Sequence, residues 1–349
     1  TRDVATFVTV SSRARIGGSI GERVTKVATS PLTTSPRRIL IAGAGALGSM
    51  YGGFLRRAGH SVTLLGRPEH IDAIRRRGLA IEGIFGEHQV EGFELASAPE
   101  EVRGQFELVI LAVKSYDVER TARPFAGALA PEGQLLALQN GLGHLEILAE
   151  IFGAERLLGA PVLIGASIPE PGRVRVTVYV KPVKVGAPWP REGDDSAGRF
   201  ARTLAAAGIP SEATDRLLPF LWEKVLYNAP LNALGALLGV PYGALAERPE
   251  SRRIMDDVVG EGHAVASASG VALLWRTAAE ARRHFYEVLL PPTVAHRSSM
   301  LQDIERGKRT EVDANNGYIC RRGAELGVAT PVNAVLTDLI HATEEARKR

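Results

Sequence analysis

The chain has 349 residues, 45% of them hydrophobic and 23% charged, which is ordinary usage for a globular protein and enough length for about two domains. A net charge of +3 over that length does not indicate the concentrated basic surface of a nucleic-acid-binding protein. The one cysteine, Cys320, excludes a disulfide within these residues and a cysteine-based zinc site; it fits a reducing compartment, so a cytoplasmic location is expected.

The first 36 residues differ in composition from the rest. Twelve of them are Ser or Thr and only two are acidic, and they contain neither an apolar period nor the apolar core of a secretory signal. We expect residues 1–36 to be a disordered or cloning-derived leader, although the Arg- and Ser-rich bias is also compatible with a transit peptide. This segment is left out of the predicted fold.

A strand–helix alternation begins at residue 37. Continuous apolar runs predict buried strands at residues 38–42, 61–65, 106–113 and 134–139. Between the first two runs, apolar residues from Leu47 to Ala58 recur at helical spacing. Continuous apolar strands that alternate with helices predict a parallel sheet covered on both faces.

The pattern changes in the second half of the chain. Residues 174–185 alternate and are rich in Val, which predicts an antiparallel strand at the sheet edge. A helix at 197–207 and a short strand within 208–214 follow, and the sequence is then almost wholly helical. We therefore predict an α/β domain at 37–214 and an all-helical domain at 215–349.

A glycine-rich turn follows the first predicted strand. It matches the pattern G-x-G-x-x-G and comprises Gly43, Ala44, Gly45, Ala46, Leu47 and Gly48. The turn comes after a strand and opens a helix, where the first glycine allows the tight turn and the second lets a pyrophosphate approach the backbone. The free N–H groups at the start of the helix would bind the phosphates. The motif predicts a Rossmann dinucleotide-binding domain at 37–214.

The end of the second strand indicates which dinucleotide is bound. NAD enzymes place a carboxylate there to hold the ribose 2′-hydroxyl, but this chain has Gly66 and Arg67 instead. An arginine suits a 2′-phosphate because its planar fork donates to two oxygens, so NADPH is favoured. Lys114 and Asn140 end the third and fourth strands at the same sheet edge, where we expect Lys114 to contact the cofactor and Asn140 the cofactor or the substrate.

Polar side chains form a stripe on the first helix after the domain boundary. Lys224, Asn228 and Asn232 are spaced by four residues and so share one helix face among apolar neighbours. Such groups are costly to bury without partners, and they are therefore expected to line a polar site. Ser299 on a later predicted helix and the carboxylate of Glu311, which suits a lysine partner, are further candidates.

These motifs occur in the order found in ketopantoate reductases, which the chain resembles from about residue 37 to 345. The resemblance implies a Rossmann domain joined to an all-helical domain, with the active site between them. It also implies NADPH-dependent reduction of ketopantoate to pantoate on the route to pantothenate and coenzyme A. The shared set comprises 43–48, Lys114, Asn140-Gly141, Lys224, Asn228, Asn232, 299–303, 310–313 and Asn316-Gly317.

By position, the resemblance makes Lys224 the general acid that protonates the ketone oxygen, and it makes Glu311 the residue that holds Lys224 and the reacting hydroxyl. The physical chemistry agrees, because hydride addition creates an alkoxide that a nearby ammonium both stabilises and protonates. Four residues are assigned to substrate binding by the same resemblance: Asn140, Asn228, Asn232 and Ser299.

The chain also departs from the family pattern. Tyr242 stands where the family usually has a substrate-contacting Asn, and a pair of threonines that the family often has near Pro161 and Val162 is absent. Residues 178–181 replace a stretch that contains Gly and His. These changes concern the substrate, so a related reductase of another 2-oxo or 3-oxo acid is a second hypothesis. A non-catalytic NADPH-binding sensor is a third, which the presence of both Lys224 and Glu311 disfavours.

The sequence also indicates which other kinds of binding partner are expected and which are not. No run of 18 apolar residues occurs, so no membrane span is predicted, and no two histidines share a metal-like spacing of four, so no metal is expected. A small 2-oxo acid is the expected substrate, and no nucleic-acid partner is expected. The apolar helices of the second half could serve a homodimer.

Overall fold

The computed structural model of the protein describes residues 35–347, so nearly all of the expected leader at 1–36 lies outside the described residues. Twelve strands and twelve α-helices lie within 35–347. The strands are β1 (Arg38–Ala42), β2 (Ser61–Leu65), β3 (Leu79–Gly83), β4 (His88–Val90), β5 (Glu94–Ala96), β6 (Phe106–Leu111), β7 (Leu129–Ala137), β8 (Leu157–Gly159), β9 (Ile164–Ser167), β10 (Arg173–Tyr179), β11 (Val183–Val185) and β12 (Ser211–Ala213). The helices are α1 (Ala46–Arg57), α2 (Pro68–Arg77), α3 (Val118–Ala122), α4 (His144–Phe152), α5 (Ser196–Ala206), α6 (Leu217–Leu238), α7 (Tyr242–Ala246), α8 (Pro249–Ala268), α9 (Ala278–His284), α10 (Ser299–Glu305), α11 (Asn316–Leu326) and α12 (Pro331–Ala346).

The main sheet has six strands in the order β5-β2-β1-β6-β7-β8, and every neighbouring pair in it is parallel. The predicted parallel sheet is confirmed, and β1 and β2 have the predicted bounds. The chain leaves β1 toward β2 on one side and later returns to β6 on the other side. Ligands of such sheets bind beyond the carboxyl ends of the strands at this switch point, between β1 and β6.

The prediction of one edge strand at 174–185 was wrong. The segment is divided into β10 and β11, which belong to two smaller sheets, β4-β3-β10-β9 and β11-β12. β10 runs antiparallel to β9 but parallel to β3. Pro182 lies between the two strands and has no N–H to give to a ladder, which accounts for the break. The alternation of Val174 and Val176 reflects one buried face of a small separate sheet.

After β12 the chain is helical, as predicted. The helix α6 packs against α8, α10 and α12, and most of its residues are buried. A helix that is buried on nearly all sides lies at the centre of its bundle, which is why apolar residues occur all round it. One apolar core joins the sheet to this bundle: Leu40 and Leu111 of the sheet belong to the same cluster as Trp222 of α6. No helix within 35–347 has the length and apolar character needed to cross a membrane.

Candidate active site

The glycine-rich turn between β1 and α1 has the geometry that a bound pyrophosphate requires. Gly43 has a φ of 109°, which L side chains rarely adopt, and its N–H donates to the carbonyl of Leu65 at the end of β2. A Cβ on Gly48 would collide with the carbonyl oxygen of Gly43, whereas a Cβ on Gly45 would meet no atom within 4 Å. Open space therefore lies before the N-terminus of α1, as a phosphate site needs. The other predicted contacts here are in the same turn or in the first turn of α1: Ala44, Ala46 and Leu47.

Arg67 follows β2 and immediately precedes α2. Its side chain is exposed, and its guanidinium forms no ion pair with any residue in the range 35–347. The end of β2 carries no carboxylate that could hold a ribose 2′-hydroxyl. The glycine turn lies against this strand end, because the N–H groups of Gly43 and Ala44 both donate to Leu65. The glycine turn and the unpaired cation beside it therefore fit a dinucleotide.

Lys114 lies at the carboxyl end of β6 and joins the two halves of the protein. Its Nζ is 2.8 Å from Oδ2 of Asp303 in α10 and 3.4 Å from Oε2 of Glu311. Burial alone would lower the pKa of Lys114, but the negative charges of Glu311 and Asp303 raise it above its ordinary value. Lys114 is therefore a charged group held between two carboxylates, and its contact with the cofactor stays a prediction.

Glu311 is fixed by the loops that follow two strands of the sheet. Its Oε1 accepts a hydrogen bond from the backbone N–H of Ser115 at 2.9 Å, and its Oε2 accepts one from Nδ2 of Asn140 at 3.2 Å. A backbone hydrogen bond holds the segment that follows Glu311: the N–H of Leu142 donates to the carbonyl of Ala314 at 2.8 Å. Two other predicted site residues, Lys114 and Asn140, thus both contact Glu311.

Lys224 is buried in α6, with 8% of its surface exposed. Its Nζ donates to the backbone carbonyl of Val162 at 2.5 Å. Burial lowers the pKa of Lys224 to about 8, and the negative charge of Glu311 opposes part of that shift. An ammonium with a pKa near the working pH is suited to giving up a proton during a reaction.

The structure differs from the expectation that Glu311 holds Lys224 directly. No ion pair joins the two side chains in the described part of the chain, because the carboxylate of Glu311 is taken by Lys114, Ser115 and Asn140. The carbonyl of Val162 is the partner of Lys224 instead. Glu311 acts on Lys224 through its charge alone, which is close enough to influence the pKa.

The two predicted amides of the stripe lie on α6 with Lys224, as the spacing indicated. Asn228 is half-buried, and its side chain has no hydrogen-bond partner within residues 35–347. Asn232 is buried, and its Oδ1 accepts a hydrogen bond from the hydroxyl of Tyr242 at 2.6 Å. Ser299 is the first residue of α10 and is exposed, whereas Ser298 is buried and caps the N-terminus of that helix. These amides retain unused donors, which suit an oxygen-rich substrate.

Several residues at the site were not predicted. Asp303 lies in the shared segment 299–303 but was given no role, and a backbone carbonyl such as that of Val162 cannot be recognised as a partner from the sequence. His144 begins α4 and is buried; its Nδ1 has no hydrogen-bond partner in the described region. Burial lowers the pKa of His144 to about 4, so it is neutral at working pH and is not a second acid. No cluster of His, Cys, Asp or Glu within residues 35–347 could hold a metal ion.

Family models and known proteins match the described region over most of its length. The model described as ketopantoate reductase PanE/ApbA matches residues 39–188, and the one described as its C terminal matches residues 216–344. The 2-dehydropantoate 2-reductase of Aquifex aeolicus is 36% identical over 307 residues, which cover 88% of this chain and 97% of that protein. The enzyme of the same name from Pyrococcus horikoshii is 33% identical, with coverage of 88% and 97%.

Solved structures give the same result. A PanE/ApbA family ketopantoate reductase from Ralstonia eutropha has a TM-score of 0.80 and 36% identity, covering 89% of this chain and all of that one. A ternary complex of D-mandelate dehydrogenase with NADH and anilino(oxo)acetate also has a TM-score of 0.80, at 28% identity and the same coverage. Both neighbours share the arrangement of a Rossmann-type domain followed by helices.

Proposed function

The chain belongs to the ketopantoate reductase family, and we propose that it reduces 2-dehydropantoate (ketopantoate) to pantoate with NADPH, with Lys224 as the general acid. Its family makes it an oxidoreductase that works with a nicotinamide dinucleotide. The reaction is a step of pantothenate and coenzyme A biosynthesis. The observation that carries the proposal is Lys224, a buried ammonium on the same helix face as the unused amide donors of Asn228 and Asn232.

The side chains of this site have distinct tasks in the proposed reaction. When bound, the nicotinamide supplies the hydride that adds to the ketone carbon. As charge develops on the ketone oxygen, the ammonium of Lys224 stabilises it and donates its proton, becoming a neutral amine that solvent reprotonates. The amides of Asn140, Asn228 and Asn232, with the hydroxyl of Ser299, hold the oxo acid. Glu311 keeps Lys224 charged and orders Asn140.

We also propose a division of labour along the chain. Residues 37–214 would bind the cofactor through the glycine turn, Arg67 and Lys114, and residues 215–349 would supply Lys224, the substrate amides of α6 and Glu311. Asn140, which reaches Glu311, would serve both ligands. The homodimer and the cytoplasmic location remain predictions from the sequence.

Arg67 supports NADPH rather than NADH. Replacing Arg67 with alanine is expected to raise the KM for NADPH about 10- to 100-fold and to leave the KM for NADH unchanged, because charge-assisted hydrogen bonds to a phosphate contribute about 1.5–3 kcal/mol. Arg76→Ala is a matched control. Arg76 is exposed in the last turn of α2, the helix that Arg67 precedes, and its removal changes the net charge by the same amount. Equal changes in the two KM values would show that Arg67 does not read the 2′-phosphate.

A second candidate function is the reduction of a different 2-oxo acid with the same machinery. Tyr242 favours it, because this bulky side chain bonds to the substrate amide Asn232. A D-mandelate dehydrogenase of similar structure binds anilino(oxo)acetate together with NADH, which supports an aromatic oxo acid as the alternative substrate. The fold and the catalytic lysine would be unchanged in this case.

Initial rates of cofactor oxidation separate the candidates. We expect rapid turnover of ketopantoate with NADPH and slow turnover with NADH or with phenylglyoxylate. Faster turnover of phenylglyoxylate or another 2-oxo acid than of ketopantoate would favour the second candidate. Binding of NADPH, followed by fluorescence, without turnover of any oxo acid would contradict both and leave a cofactor-binding sensor.

A further inference from the structure

A tyrosine outside the predicted catalytic set is bonded to one of the substrate amides. Tyr242 begins α7, ten residues after Asn232 and beyond the end of α6, and only 3% of its surface is exposed. Its hydroxyl donates to Oδ1 of Asn232 at 2.6 Å. Asn232 is itself buried, and its Nδ2 has no hydrogen-bond partner within residues 35–347. The oxygen end of the amide therefore accepts a hydrogen bond from Tyr242, and the NH₂ end has no partner there.

The ring of Tyr242 is held so that its hydroxyl has little freedom to move. It packs edge-on against the ring of Tyr227, with centroids 6.0 Å apart, and against that of His296, with centroids 5.1 Å apart. The backbone N–H of Tyr242 also donates to the carbonyl of His296 at 3.1 Å. Burial raises the pKa of Tyr242 above its ordinary value, so the hydroxyl keeps its proton and remains a donor.

An amide side chain can present either its oxygen or its NH₂ group to a ligand, and a rotation of the group exchanges them. The Tyr242 hydroxyl removes that ambiguity, although its oxygen could also accept a hydrogen bond from the NH₂ group of a reversed amide. In that arrangement its buried proton would lose its acceptor, because Oδ1 of Asn232 is the only hydrogen-bond partner of this hydroxyl within residues 35–347. The carboxylate and ketone of a 2-oxo acid present only acceptor oxygens, so they need the NH₂ end.

We propose that Tyr242 is a positioning residue that fixes the amide of Asn232 with its NH₂ group toward the oxo-acid group of the substrate. The proposal rests on the proposed function, since it concerns how that site binds its substrate. It follows that Asn232 recognises the acceptor oxygens that all 2-oxo acids share rather than a donating hydroxyl on the substrate side chain, because its own acceptor oxygen is turned toward Tyr242.

Tyr242→Phe removes the hydroxyl and keeps the packed ring. We expect it to raise the KM for ketopantoate about three- to tenfold, in keeping with the loss of one ordering hydrogen bond, with kcat changed less than twofold and NADPH affinity unchanged. Tyr227→Phe is the matched control: its hydroxyl lies in the same aromatic cluster but bonds to Oγ1 of Thr293, at 2.6 Å, and we expect no change in KM.

A double-mutant cycle separates positioning from a general loosening of the fold. In an Asn232→Ala background, Tyr242→Phe is expected to have no further effect on KM, because its only route of action is gone. An equal rise of KM in both backgrounds, or no rise in the wild-type background, would overturn the proposal.

Asn232→Asp gives a second measurement that does not require Tyr242→Phe to fold. It keeps an oxygen for Tyr242 and replaces the NH₂ group by a charged oxygen that repels a carboxylate, so the KM should rise more than tenfold. An unchanged KM would overturn the proposal. An inactive wild-type protein would overturn the proposed function together with this inference, whereas an active wild type with unaffected variants would overturn the inference alone.

Discussion

Replacing Lys224 with methionine is expected to lower kcat by about 10²- to 10⁴-fold, the usual contribution of a positioned general acid, while NADPH affinity stays within about twofold. Methionine has a similar length and no charge, so the buried site remains filled. The protein should fold normally, because an ammonium in a buried position contributes a desolvation cost rather than stability. Steady-state kinetics with ketopantoate and a fluorescence titration with NADPH measure the two quantities.

Lys184→Met is the matched control for this change. Lys184 lies on β11 and pairs with the exposed Glu212, and such surface pairs contribute little. The two variants lose the same charge, so a difference in kcat between them measures the effect of removing the ammonium from the active site. A fall of less than tenfold for Lys224→Met, or an equal fall in both variants, would contradict the role of Lys224 as the acid.

The same lysine determines the expected pH dependence. Because burial lowers the pKa of Lys224 to about 8 and the reduction needs the protonated form, kcat for ketone reduction should fall as the pH rises through that value. Oxidation of pantoate needs the neutral amine, so its rate should rise over the same range. If the rate of ketone reduction falls and the rate of pantoate oxidation rises around the same pKa, a single group acts as the acid in reduction and as the base in oxidation.

Replacing Glu311 with glutamine is expected to lower kcat/KM by about 10²-fold or more, since it removes charge from a preorganised site. The N–H of Ser115 could still donate to the new amide oxygen, but Nδ2 of Asn140 would face an NH₂ group instead of an acceptor. The negative charge of Glu311 raises the pKa of Lys224, so its loss should move the alkaline limb of kcat to lower pH.

Glu305→Gln is the control for Glu311→Gln. Glu305 ends α10 and pairs with the exposed Arg297, so its loss should leave both kcat/KM and the pH profile unchanged. If Glu311→Gln lowered activity but left the alkaline limb in place, Glu311 would order Asn140 without affecting the proton on Lys224.

The elements with strong local signals were predictable from the sequence. β1 and β2 are continuous apolar runs followed by turn or helix signals, and the glycine pattern between them has one well-known structural context. The stripe of α6 followed from helical spacing alone. The segment 174–185 was misjudged because alternation shows that a strand has one buried face, but it does not show which sheet the strand joins.

Contacts between distant residues could not be predicted in this way. The bond from Lys114 to Asp303 joins residues 189 positions apart, and the bond from Lys224 to Val162 ends on a backbone oxygen that every residue type has. The local motifs identified most of the participants, and the resemblance assigned their roles. Which group each lysine contacts depends on how α6 and α10 pack against the ends of the strands, and no local pattern encodes that packing.

Three of the contacts that anchor this site on the sheet side use backbone groups, and this affects which mutations the site tolerates. Lys224 uses the carbonyl of Val162, Glu311 uses the N–H of Ser115, and the segment after Glu311 is tied by the N–H of Leu142. These three hydrogen bonds do not depend on the side chain, so a substitution that preserves the packing of the buried Val162 and Leu142 leaves them in place. Proline is the exception at 115 and 142, because it lacks the N–H. Lys224 therefore keeps its hydrogen-bond partner at Val162 without any contribution from the valine side chain.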